Sequence, residues 1–356
     1  MAVLTEEQTM LRDMAREWAD NEAPVGAFRK MRDAAPAAFY DADAWRAQAE
    51  MGWAGILVPE AQGGAGMGYL SLGLVLEQLG RNLVATPLAA TAAATSALIL
   101  GGSEAQRAEW LPRIAAGDVV AALAVDEGPR FAPERIETRV EDGRLSGTKY
   151  FVAEGDSARL FVVAAADGLY LVSGDEGVTR SARKLVDARS HAEVRFEGAR
   201  AEKLEGGRDL VTQVTDRAAA ALSAEMLGMA EAAFAQTNDY LKTRVQFGQV
   251  LSSFQALQHR MAKMLTELEL TRSVVEGALE AIDSGRANVS QEVSLAKATA
   301  NETLHLVSRE MVQLHGGIGM TDEHDAGFYL KRARVLEAMW GNAAWHRDRF
   351  ARLNGY

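Results

Sequence analysis

Apolar side chains recur at helical spacing through the first and last parts of the chain, and alternate at strand spacing only between them. Thr5-Glu6-Glu7-Gln8 has the form of a capping box, in which the Thr5 hydroxyl accepts from the Gln8 amide and the Gln8 side chain reaches back. Met10, Leu11, Met14, Ala15 and Trp18 then mark one face of a helix. A further helix is predicted over 44–51, ended at Gly52, and another carries Leu72, Leu74, Val75, Leu76 and Leu79. Ser103-Glu104-Ala105-Gln106 is a second capping box, leading a short helix that Pro112 should close. The glycines at 63, 64, 66 and 68 resemble a phosphate loop superficially. No strand precedes them and no Lys-Ser/Thr follows, so they read as a glycine-rich turn.

From Val119 the period shifts toward 2. Segments 119–125, 136–140, 144–152, 160–164, 169–172 and 191–196 read as strands, with Glu141-Asp142-Gly143-Arg144 as a hairpin turn. Six strands in so short a stretch suggest a small antiparallel barrel or sandwich. After Gly206-Gly207 the helical period returns. Val211, Val214, Ala218, Leu222, Met226, Met229, Ala233, Thr237 and Leu241 form one stripe without proline, which predicts a helix of about 35 residues and ~50 Å. Ser252-Ser253-Phe254-Gln255 offers a third capping box for a helix running toward Gly285. Helices over 289–314 and 327–340 follow, the last resuming after Gly341-Asn342. The expected fold is α+β and mostly α: an N-terminal helical domain over 1–118, a middle β-barrel or sandwich over 119–205, and a C-terminal four-helix bundle over 206–356.

Composition narrows the chemistry. With 48% hydrophobic and 24% charged residues in 356, the chain reads as a soluble globular protein, and no unbroken apolar run reaches a membrane span. The start Met1-Ala2-Val3-Leu4-Thr5-Glu6 lacks the basic region and apolar core of a signal peptide, which points to the cytoplasm. Zero cysteines removes disulfides and thiol chemistry, and no two of the six histidines are spaced as helix-borne metal ligands. A net charge of −11 disfavours nucleic acid as a partner. An anionic small molecule would need a local basic site.

Such a site is suggested by Arg244-Val245-Gln246-Phe247-Gly248, running on to Phe254-Gln255, where one long helix stops and another starts. An arginine and an aromatic ring at a helix corner can hold an anion and a flat ring together. A guanidinium makes two parallel charge-assisted bonds to a diphosphate, and glycines admit backbone close to a ligand. Arg244 could equally complement the negative end of its own helix.

In their order, Gly55-Ile56-Leu57-Val58-Pro59-Glu60 with Gly63-Gly64, Gln106 through Leu111-Pro112 with Gly117, Gly147-Thr148-Lys149, Arg244 with Gln246-Phe247-Gly248, Phe254-Gln255, and Gln313 with Gly316-Gly317-Ile318-Gly319 resemble the acyl-CoA dehydrogenase family across nearly the whole chain. The resemblance implies an FAD flavoprotein that oxidises an acyl-CoA thioester to its 2,3-enoyl form. It also implies a dimer or tetramer and an electron-transfer acceptor. Arg244 and Phe247 correspond to residues at the FAD pyrophosphate and adenine side, with Gln255 in register, and Gln313, Gly316 and Gly317 to the strip that receives the rest of the ADP moiety. In the family these residues serve the neighbouring subunit's flavin.

Departures from the family pattern qualify that role. The usual catalytic glutamate, placed before a glycine, falls at Trp340 in Ala338-Met339-Trp340-Gly341-Asn342. Indole cannot remove a proton, although the backbone amide there can still bond the thioester carbonyl. Members with a displaced base carry it before an arginine early in the first bundle helix, which makes Asp216 beside Arg217 the candidate base and Glu225 a second one. In the β domain the flavin-contacting segments become Val125-Asp126-Glu127-Gly128-Pro129-Arg130 and Tyr150-Phe151-Val152-Ala153-Glu154-Gly155. Phe151 can shield a ring, but Ala153 lacks a hydroxyl. Asp216 and Arg244 lie about 42 Å apart on one helix at ~1.5 Å per residue, roughly twice the length of extended FAD, so the two would serve different cofactors.

Two readings follow. The chain is an FAD-dependent acyl-CoA dehydrogenase, as a homo-oligomer or as one subunit of a heteromer, or it is a non-catalytic subunit that completes a homologous partner's FAD site. An acyl-CoA oxidase on the same fold is a further alternative.

Overall fold

The computed structural model describes residues 3–35 and 39–356. Met1 and Ala2, which enter the leader reading, lie outside the described residues. Six helices come first: α1 (Glu6–Glu22), α2 (Val25–Ala34), α3 (Ala42–Glu50), α4 (Gly68–Arg81), α5 (Leu88–Gly101) and α6 (Glu104–Ala115). Eight strands follow, β1 (Ala121–Ala124), β2 (Arg139–Glu141), β3 (Arg144–Ala153), β4 (Leu160–Ala165), β5 (Gly168–Ser173), β6 (Val178–Ala182), β7 (His191–Arg200) and β8 (Glu202–Lys203). The remainder is α7 (Gly207–Thr243), the hairpin β9 (Val245–Gln246) and β10 (Gln249–Val250), then α8 (Gln255–Asp283), α9 (Val289–His315), α10 (Ala326–Ala338) and α11 (Ala343–Leu353). This is the expected order of helical, β and helical domains.

Two compact units cut across that order. One comprises Met1–Phe28, Gly73–Val84 and Ala219–Tyr356, the other Arg29–Leu72 and Ala85–Ala218.

In the second unit the strands form two four-stranded sheets, ordered β1-β4-β5-β8 and β2-β3-β7-β6. Their inner faces meet in one apolar cluster, in which Phe161 of β4 and Phe196 of β7 pack edge to face at 5.8 Å. That makes a sandwich. It is not wholly antiparallel, because β1 pairs β4 in parallel. β6 and β8, unforeseen in the sequence, are short edge strands with mostly exposed residues and so carry little apolar pattern. The hairpin at 141–144 forms with Asp142 and Gly143 at φ 49° and 73°, the twist a tight β-turn demands. Both capping boxes at Thr5 and Ser103 are present. Pro112, however, lies inside α6 rather than at its end. The carbonyl it leaves without an amide belongs to the exposed Ala108, where water can serve it.

In the first unit, the later part of α7 is bonded to α8 through Glu231 and Arg272, to α9 through Tyr240 and His315 and to α10 through Glu225 and Arg332, and α11 packs on α9. Of the most apolar window of α7, 83% is buried within the protein, as for a core helix. α4 approaches it so closely that a Cβ at Gly80 would stand 2.3 Å from the Glu225 carbonyl oxygen. Between α8 and α9 the Thr271 hydroxyl donates to Thr303 Oγ1 at 2.8 Å. The third expected capping box is absent. Residues 251–253 form a 3-10 turn, Ser253 bonds the Val250 carbonyl, and α8 starts at Gln255 with no side-chain cap.

Candidate functional site

The corner after α7 is built by its hairpin. Phe247 and Gly248 form the tip at φ 53° and 78°, and the Arg244 carbonyl accepts from Leu251 N at 2.8 Å, stapling the base. This backbone turns the Phe247 ring outward, 89% exposed, with only its edge against Phe254 at 6.2 Å. Arg244 and Gln255 are exposed too, and Arg244 has no carboxylate partner among the described residues. It also stands one residue beyond α7, where its charge faces the helix's carbonyl end.

The end of α9 lies beside this corner. The Tyr240 hydroxyl donates to the His315 carbonyl at 3.3 Å, and the two rings lie 4.3 Å apart. Burial holds the His315 imidazole below the usual range, opposed by its contact with the Met311 carbonyl. Gln313, Gly316 and Gly317 are exposed, and a Cβ at either glycine would meet nothing within 4 Å. Gly316 takes φ 65°. Arg244, Phe247, Gln313 and the two glycines are thus brought to neighbouring helix ends, amid the exposed apolar side chains Val245, Ile318 and Met320.

In the β sandwich Phe151 sits where β3 slips register against β7, at φ 53° and 42% exposed. Lys149, two residues before it, belongs to a polar brace that the sequence did not suggest. Buried Lys149 donates to the Val125 carbonyl at 3.1 Å and to Glu127 Oε1 at 2.7 Å. Glu127 also accepts from the Thr138 hydroxyl at 2.6 Å, the Thr138 amide at 3.0 Å and the Glu137 amide at 2.6 Å. Burial pushes Lys149 down to about 8 against the pull of Glu127 and Asp126. At Glu127 burial acts upward, but these bonds outweigh it and keep the carboxyl below its usual range. Asp126 Oδ1 is buried with no hydrogen-bond partner among the described residues, and burial, opposed by Lys149, raises that carboxyl to about 6. Glu154, at φ 58°, accepts from Ser157 Oγ at 2.9 Å.

The base candidates stand in different surroundings. Asp216 is a buried carboxylate, 3% exposed, while the neighbouring Arg217 bonds the Gln213 carbonyl at 3.1 Å and lies over the Tyr69 ring at 5.9 Å. Glu225 is taken by an ion pair, with Arg332 Nε and Nη2 both on its Oε1 at 3.0 and 2.8 Å. Trp340, between α10 and α11, is buried at φ 48°. Its amide has no acceptor among the described residues.

Residues 5–118 match the family model for the acyl-CoA dehydrogenase N-terminal domain, and 205–353 that for the C-terminal domain. Acyl-CoA dehydrogenase IpdE2 of Mycolicibacterium smegmatis is 34% identical over 95% of this chain and 96% of its own. The chain belongs to the acyl-CoA dehydrogenase family. Among solved structures, the Tcur3481-Tcur3483 steroid ACAD G363A variant superposes with a TM-score of 0.91 at 30% identity, over 98% of both chains. The ChsE4-ChsE5 complex from Mycobacterium tuberculosis gives 0.92 at 26%, over the full length of both.

Acyl-CoA dehydrogenases are FAD-binding oxidoreductases acting on acyl-CoA. The residues that the resemblance assigns to that cofactor fall in two sets, which fit it unequally. The helix-end set fits an ADP moiety: a guanidinium without a carboxylate partner among the described residues, an exposed aromatic ring, and glycines with open space above them. The β-sandwich set fits a flavin ring less well, since no hydroxyl stands at Ala153.

Proposed function

We propose that this chain is one subunit of a heteromeric acyl-CoA dehydrogenase, lending its ADP-side residues to an FAD whose ring is seated on a homologous partner subunit. The observation that carries this reading is Phe247, 89% exposed beside Arg244, in a chain whose own ring-side segment has no hydroxyl at Ala153. An aromatic so exposed, amid further apolar side chains, fits a surface completed by another molecule. The relatives described as a ChsE4-ChsE5 complex and as Tcur3481-Tcur3483 support two-component assembly, and the latter's description as a steroid ACAD supports a bulky acyl group. FAD supplies the hydride acceptor for α,β-dehydrogenation. This chain's Arg244 would hold the diphosphate, Phe247 and Gln255 the adenine side, and Gln313, Gly316 and Gly317 the remaining ADP contacts. The Trp340 amide, without an acceptor among the described residues, would bond an acyl carbonyl, and the base would come from the partner.

In a second reading, favoured by its buried carboxylate, Asp216 is this chain's own base. Flavin bleaching by acyl-CoA separates the two. Under the first, the chain supplied with FAD alone is not bleached, the co-purified pair is, and Asp216→Asn leaves the pair's bleaching unchanged. Bleaching by the chain alone that disappears in Asp216→Asn contradicts the first reading and establishes the second.

A further inference from the structure

Three main-chain carbonyls around Trp340 are gripped by buried side chains that the proposed reaction does not use. Lys297 of α9, fully buried, places Nζ 3.0 Å from the Leu336 carbonyl, 3.2 Å from the Gly341 carbonyl and 2.9 Å from Asn301 Oδ1. Asn301 Nδ2 also reaches the Gly341 carbonyl, at 3.4 Å. An ammonium has three donors and no acceptor, so three oxygens match it. His346 of α11, equally buried, reaches the Trp340 carbonyl with Nε2 at 2.9 Å, while Nδ1 is buried without a partner among the described residues.

The backbone shows what the grip achieves. Trp340 is held at φ 48°, disfavoured for any residue with a Cβ. Gly341 follows at φ 98°, and a Cβ there would stand 2.7 Å from His346 Nε2 and 2.8 Å from Trp345 Cε3. Glycine is what lets the imidazole come close enough to bond the Trp340 carbonyl.

We propose that Lys297 and His346 are positioning residues that clamp the Trp340–Gly341 turn, fixing the Trp340 indole and amide in one geometry. The functional weight of that geometry rests on the reading of this turn as part of the acyl-CoA site.

The two clamps differ in their response to pH. His346 stays neutral: burial first, then the Lys297 charge and Arg349, hold it down to about 3, and a proton on Nδ1 would find no acceptor. Lys297 is the group that titrates. Burial brings it down to about 7, opposed by Glu337 of α10, with His346 facing it from α11 and the neutral Asn301 on its own helix. Losing its proton removes one donor and turns a lone pair toward a carbonyl, so the grip loosens as pH rises through this range.

The test is fluorine NMR of the full chain labelled with 5-fluorotryptophan, the Trp340 line being assigned by its loss in Trp340→Phe. In the unsubstituted protein that line should titrate with a midpoint near neutral pH. Lys297→Met should abolish the titration and broaden or split the line. His346→Gln, which keeps an N–H donor, should retain the original line, and His346→Phe should not. A Trp340 line that does not titrate in the unsubstituted protein overturns the proposal even if no variant folds, as does a Lys297→Met protein that titrates unchanged. The line reports the turn whichever subunit seats the flavin ring, so a failure of the shared-FAD reading leaves this test intact.

Discussion

Replacing Arg244 by alanine separates a cofactor role from a helix-capping role. The guanidinium is exposed and has no carboxylate partner among the described residues, so its removal deletes no internal ion pair. Stability of the flavin-free protein should therefore change by no more than ~0.5 kcal/mol. If the same group binds the FAD diphosphate, each charge-assisted contact is worth about 1.5–3 kcal/mol net. At ~1.4 kcal/mol per decade this weakens FAD binding by about 10- to 150-fold. Lysine at 244 keeps the charge but loses the planar fork, and should fall between. The assay pairs equilibrium dialysis of FAD against the flavin-free assembly with urea denaturation of the same preparations. Unchanged FAD affinity in Arg244→Ala would refute the assignment. A stability loss as large as the affinity loss would show that Arg244 serves the end of α7 instead.

The remaining predictions concern buried groups. Lys149→Met should cost about 3–5 kcal/mol in urea denaturation, because Glu127 is left without its charged partner, and adding Glu127→Gln should recover part of that. Lys297 has a depressed folded-state pKa, so between about 7 and the usual lysine range the unfolded chain holds the extra proton and stability rises with pH. That contribution reaches ~1.4 kcal/mol per pH unit; Lys297→Met should remove it from a pH series of denaturation curves, and an unchanged slope would contradict the assignment. Global stability and the local grip on Trp340 thus move in opposite directions. Gly341→Ala combines a positive φ with a 2.7 Å approach to His346 and should cost about 2–4 kcal/mol, read as a lowered melting temperature.

The parts of this protein legible in its sequence are those with a local signature. The boxes at Thr5 and Ser103, the Asp142-Gly143 turn and the stripe of α7 each follow from residues a few positions apart. α5 went unseen because a helix buried on nearly every side has no polar face to give it a period. β6 was missed for the opposite reason, since its edge position leaves most of its residues exposed. Pro112 shows a tertiary setting overriding a local rule, because its helix continues where the affected carbonyl faces water. The residues proposed to serve the flavin stand in motifs that the sequence shows, but their surroundings do not show there. That Glu225 is paired with Arg332, and that Lys149 and Glu127 form one brace, depend on residues from 22 to more than 100 positions apart, and the lack of a carboxylate partner for Arg244 among the described residues is likewise a property of the fold. The Lys297 and His346 clamp has the same cause, and its one sequence-level trace is the glycine at 341.

Flavin content per chain, measured with native mass, tests the shared-cofactor claim most directly. The chain would be purified alone and together with a homologous family subunit, and FAD counted against each polypeptide. Shared assembly predicts little or no FAD in the chain alone, and in the mixed oligomer one FAD for each pair of unlike subunits. One FAD per chain in a homo-oligomer of this protein alone would contradict it.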